Sequence, residues 1–140
     1  MTVGKRRKAR EIVLQVLYEG EFSDRSGVEI LEEQAKTRSS GEETVAHAEA
    51  LLEAVSVHRA GLDEKIRAAL ANWDLERVSL IDKNIIRIAL AEVLYFPEIP
   101  PKVIINEAIE IAHKYSSRDA GQFVNGILDR FVQSYRQGSG

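Results

Sequence analysis

The densest chemistry in the sequence lies at its start. Lys5, Arg6, Arg7, Lys8 and Arg10 place five cations in the first ten residues, with no carboxylate among them. Guanidinium and ammonium groups in such a run bind phosphate. Tyr18 follows two turns later. With Tyr18 set at 0° on a helical wheel, Arg7 falls at about −20°, Glu11 at about +20°, Leu14 at about −40° and Gln15 at about +60°. The apolar face of the same helix centres near 180°, on Ala9 and Val16. Tyr18 is therefore expected to point away from the core on the stripe that carries Arg7. An outward ring beside arginines suits stacking of an unpaired base whose phosphates the cations hold. The competing reading packs Tyr18 on a neighbouring helix and leaves the cations as a solvated end. Cations at a helix N-terminus oppose the macrodipole, which favours an anionic partner for them.

Catalytic chemistry has no comparable signal. The chain has no cysteine, so thiolate metal sites, cysteine nucleophiles and disulfides are excluded. His47, His58 and His113 are isolated and match no zinc spacing, so neither metal nor cofactor is expected. Phosphate-cradling glycine loops and nucleophile elbows do not occur. Carboxylate pairs such as Glu32-Glu33 read as solvated helix faces.

The remaining 130 residues carry 14 basic and 22 acidic side chains, a net charge of −8. An acidic body with one basic end argues for a specific anionic contact, against general polyanion binding. At 140 residues, 44% hydrophobic and 29% charged, the chain is expected to be one soluble globular domain. It has neither a membrane-length apolar run nor a secretory leader, and a cytoplasmic location is expected.

Helical spacing of apolar residues recurs almost throughout, and the three prolines all fall within Phe96–Pro101. An all-α domain of about seven helices is expected. The helices are placed over about 5–20 with Gly20 as the stop, 27–36, 42–58, a short one after Gly61, one from Ser79, one from Pro101 and one after Ser116–Asp119. The connector Asn72–Leu75 is taken to divide the chain into halves of about 1–74 and 75–136. Ser79 with Asp82 resembles a capping box, and Pro101 suits a first helical position. The tail from Gln137 is expected to fray. In the last helix Val124, Leu128, Phe131 and Tyr135 form the core stripe, Phe123 stands roughly 90° off it, and Gly126 is expected to admit a close neighbour.

Four segments carry a family resemblance: Arg6–Glu11 with Gln15–Tyr18; Ile81-Asp82-Lys83-Asn84-Ile85-Ile86-Arg87-Ile88-Ala89; Ile99–Ala112 with Asn106-Glu107-Ala108-Ile109-Glu110; and Phe123-Val124-Asn125-Gly126-Ile127-Leu128-Asp129. In this order and spacing they resemble the NusB family of bacterial transcription antitermination factors. The resemblance implies an all-α fold of about seven helices in two packed helical subdomains, and a non-enzymatic adaptor that binds boxA RNA of nascent ribosomal RNA transcripts together with the ribosomal protein NusE. The pair helps RNA polymerase, within its antitermination complex, read through terminators. Carried onto this chain, Lys5, Arg6, Arg7, Lys8, Arg10, Tyr18, Asp119, Gln122 and Phe123 would contact RNA, and Asp82 would lie on the NusE side. Two alternatives stay open. One is an interaction bundle or homodimer without RNA contact, for which an outward Leu14 would serve. The other is the RNA-binding domain of an rRNA methyltransferase, for which a methyl-donor-binding region is expected and none is read before Gly140, so a stand-alone protein is the expectation.

Overall fold

The computed structural model describes residues 3–70 and 74–139, with side chains over 4–135 of these. Seven α-helices account for most of them: α1 Val3–Phe22, α2 Gly27–Thr37, α3 Glu42–Val57, α4 Arg59–Ala69, α5 Leu80–Tyr95, α6 Pro101–Tyr115 and α7 Arg118–Ser139. A single 3-10 turn spans Leu75–Arg77. The expected all-α class holds. Asn72 and Trp73 of the expected connector lie outside the described residues.

The chain divides into two compact units, Met1–Val57 and His58–Gly140. The sequence placed the division near residue 74. The contacts place it earlier, because α4 packs on α5 and α7 and so belongs with the C-terminal helices. Gly61 does not interrupt the chain; it lies inside α4, and the break between helices falls at His58.

In the first unit α2 and α3 both pack on α1. Ile12, Val13, Ile30, Leu51 and Val55 are fully enclosed there. Burying side chains of this size contributes roughly 1.5–3 kcal/mol each. Ser26 caps α2, its hydroxyl accepting from the Glu29 amide at 3.2 Å. α1 continues past Gly20 to Phe22. A Cβ at Gly20 would meet nothing within 4 Å, so that glycine serves no close approach.

In the second unit α5 is the central element. Nine consecutive residues, Asn84–Glu92, are buried, as expected for a helix apolar around much of its circumference. Ser79 caps α5 by accepting from the Asp82 amide at 3.1 Å. Pro101 occupies the first turn of α6, where its missing N–H costs nothing. Arg87 of α5 is buried and makes a two-pronged contact with Asp63 of α4. Its Nε donates to Oδ1 at 2.8 Å and its Nη2 to Oδ2 at 3.1 Å, while Nη1 donates to Asn84 Oδ1 at 2.9 Å. This planar match is the geometry that makes arginine suitable for interior ion pairs. Arg130 of α7 donates to the Ala69 carbonyl at 2.7 Å and so satisfies the C-terminal end of α4.

α7 shows three departures from the sequence reading. Tyr135 is 43% exposed and stacks on Phe131 at 5.7 Å, where an inward position was expected. The helix persists to Ser139, where fraying from Gln137 was expected. A Cβ at Gly126 would meet nothing within 4 Å, so Gly126 admits no neighbour. The close approach occurs at Gly121, against the His113 ring of α6. A Cβ there would overlap Nε2 and come within 2.7 Å of Cδ2.

Candidate nucleic-acid interface

Residues 3–22 form one continuous helix, so the basic run and Tyr18 share a rigid rod. Lys5 and Lys8 are exposed, and Arg6 and Arg7 are half-buried. Tyr18 is 39% exposed, as expected, although Glu11 and Leu14 at nearly the same wheel angle are buried. These four cations and the ring thus reach solvent on one element. Lys5 Nζ lies 3.4 Å from Glu43 Oε2 in an exposed pair, which is worth little and readily exchanged. Lys5 and Lys8 also flank a hollow of about 390 Å³ closed by residues 39–44. Ser39 there adopts a φ of 50°, in the left-handed region.

Arg10 corrects the sequence reading. It is buried, with 3% exposure. Leu14, expected to face outward, is also buried at 5%, and Glu11 at 6%. The physical reason is that α1 is covered from two sides, by α2 and by α3. A wheel with a single core face underestimates the buried arc of such a helix. Glu11 receives Arg38 Nη1 at 3.4 Å, and Gln15 Nε2 donates to Glu19 Oε1 at 3.0 Å. With Leu14 enclosed, the apolar surface suggested for self-association is gone.

Phe22, one turn beyond Tyr18, was missed. Its ring is 71% exposed and meets Tyr18 edge-to-face, with centroids 5.3 Å apart and planes inclined by 63°. The spacing of four was a visible signal, hidden by ending the helix at Gly20. Arg25, in the following loop, is held in an exposed ion pair. Its Nη2 donates to Glu33 Oε2 at 2.9 Å, and that bond, with the charge of Glu33, raises its guanidinium pKa.

The second predicted group lies in the other unit. Asp119, Gln122 and Phe123 occupy the first turns of α7; Asp119 and Gln122 are exposed and Phe123 is half-buried. Ser117 opens this helix, its hydroxyl accepting from the Ala120 amide at 3.1 Å. A carboxylate at a helix start is electrostatically favoured, and it accepts only, so it suits a base amino group and not a phosphate. Gln122 both donates and accepts. Asp82 sits in the first turn of α5, half-buried, with Oδ1 enclosed and making no hydrogen bond among the described residues. That oxygen does not complete the reciprocal half of the expected capping box.

Among the described residues no three histidine, cysteine or acidic side chains gather in a metal-holding group, and no helix is long and apolar enough to cross a membrane. Cations and aromatic rings on helices define an all-helical binding protein. The family model for the NusB family matches residues 7–133. The chain is 44% identical over 127 residues to a transcription antitermination protein NusB from Trichlorobacter lovleyi, covering 91% of this chain and 89% of that one. It is 39% identical over 136 residues to the corresponding protein of Bdellovibrio bacteriovorus, covering 96% and 100%. A solved NusB structure from T. maritima superposes with a TM-score of 0.85 at 36% identity, covering 91% of this chain and 90% of that chain. The chain belongs to the NusB family of transcription antitermination proteins, a non-enzymatic family. A further solved structure with the same fold, at 22% identity and a TM-score of 0.86, is of the antitermination factors NusB and NusE in complex with dsRNA.

Proposed function

We propose that this protein binds boxA-type RNA of nascent ribosomal RNA transcripts together with NusE, in the cytoplasm, and promotes read-through by RNA polymerase. The observation that carries the reading is the exposed Tyr18 ring on the same helix as the accessible cations Lys5, Arg6, Arg7 and Lys8. The cations hold phosphates and the ring stacks an unpaired base. Phe123 is a second platform, while Asp119 and Gln122 read base edges. Asp82 lies on the face that receives NusE. Arg10 has no direct RNA contact in this scheme. Family membership supports the partner assignment, as does the NusB–NusE–RNA assembly formed by the structural neighbour.

The acidic body limits affinity for RNA alone, so NusE contributes a second contact surface and the two proteins bind cooperatively. A gel shift with a boxA-type RNA tests this. A weak shift with the protein alone and a stronger one with NusE are expected. No shift in either lane overturns the reading, and a shift indifferent to NusE overturns the cooperative part.

A further inference from the structure

α2 and α3 both lie against α1 and touch each other little, which leaves a groove between them. Its volume is about 580 Å³. Leu31 and Leu52 form its floor, and Val28, 62% exposed, stands on its rim with the half-buried Val45 opposite. Gly27 sits close over Leu52, with a built Cβ only 3.4 Å from Cδ2, so the groove is shallowest at the start of α2.

The walls carry Glu32 on α2 and Glu49 and Glu53 on α3. All three are exposed, and none makes an ion pair or hydrogen bond among the described residues. Glu49 and Glu53 stand one turn apart, where like charges repel. Among the described residues no lysine or arginine lines the groove. An apolar floor between uncompensated carboxylates is complementary to a helix with leucine-type anchors on one side and cations along its flanks. The basic run of α1 lies outside this lining, and a polyanion is repelled by it.

We infer that the α2–α3 groove is a docking surface for a cationic amphipathic helix of a partner protein. A fourth helix laid there packs on both α2 and α3 and pairs Glu32, Glu49 and Glu53. This is independent of the RNA reading, since none of its residues belongs to the RNA-contacting set.

The test uses the full chain and a fluorescein-labelled helical peptide of 16 residues, with leucines spaced i, i+3, i+4, i+7 and lysines elsewhere, followed by anisotropy. Saturable one-to-one binding is expected. E32Q/E49Q/E53Q is expected to weaken it about tenfold, as for three exposed ion pairs lost together. V28D should cost a similar factor, and the control E98Q/E110Q, on the other unit, should change nothing. Equal loss in the control, or no loss in either groove variant, overturns the proposal. So does light scattering that shows a dimer dissolved by V28D, because the groove then seats a second copy. RNA binding by V28D should stay unchanged, and its loss would place RNA in the groove and overturn the assignment.

Discussion

Burial of Arg10 changes how RNA affinity should depend on salt. Each phosphate contact on a single strand contributes about −0.7 to the slope of log K against log salt. Five cations would give about −3.5. With Arg10 enclosed, only Lys5, Arg6, Arg7 and Lys8 reach solvent, and the slope is about −2.8. Between 50 and 200 mM salt this corresponds to an affinity loss of about 50-fold. Lys8→Gln should reduce the slope by about 0.7, so that the loss over the same range falls to about 20-fold. Arg10→Gln should leave the slope at its original value and act on folding instead. Replacing a buried charged group costs about 2 kcal/mol, which lowers the unfolding midpoint by about 6 °C for a chain of this length. Filter binding across a salt series, beside calorimetry of each variant, reads both quantities. If Arg10→Gln and Lys8→Gln lower the slope equally, Arg10 contacts phosphate and the assignment from burial is wrong.

Three further outcomes are expected. Tyr18→Ala should weaken RNA binding by about 1–3 kcal/mol with the salt slope intact; a changed slope or unchanged affinity in the same assay removes the stacking role. Asp63→Ala should destabilise the fold by about 3 kcal/mol in urea titration, because it strands the buried Arg87 guanidinium, and adding Arg87→Met should recover part of the loss; a loss under about 1 kcal/mol would show that the pair contributes little. Gly121→Ala should destabilise through the His113 ring, whereas in a His113→Ala background the same change should gain up to about 1 kcal/mol of helix propensity; an equal effect in both backgrounds, measured by thermal melts, counts against the contact.

Helix periodicity made the seven helices legible, and local signals placed two of their starts: the Ser79 hydroxyl at α5 and Pro101 at α6. Glycine misled three times. Gly20 was taken as a stop, Gly61 as a break and Gly126 as a contact, yet all three sit in helices with nothing near a built Cβ. The glycine that matters is Gly121, and its neighbour His113 comes from another helix, so no local pattern reveals it. The exposure of Tyr18 was expected from its wheel angle, but that angle does not explain it, since Glu11 and Leu14 beside it on the wheel are buried. The burial of Arg10 and Leu14 was not legible, since it depends on α2 and α3 both covering α1. Asp119, Gln122, Phe123 and Asp82 entered through family likeness more than through any local geometry.

The enclosed Glu11, held by Arg38 from the segment that ends α2, has a bearing on evolution. An apolar stripe tolerates small rotations of a helix, whereas an interior carboxylate meeting one particular guanidinium acts as a key in a slot. It indexes α1 about its axis. Insertion or deletion of a single residue between Glu11 and Tyr18 would swing the tyrosine by about 100° while the key stayed seated. The interval between Glu11 and Tyr18 should therefore keep its length across descendants of this sequence, whatever apolar residues fill its core positions.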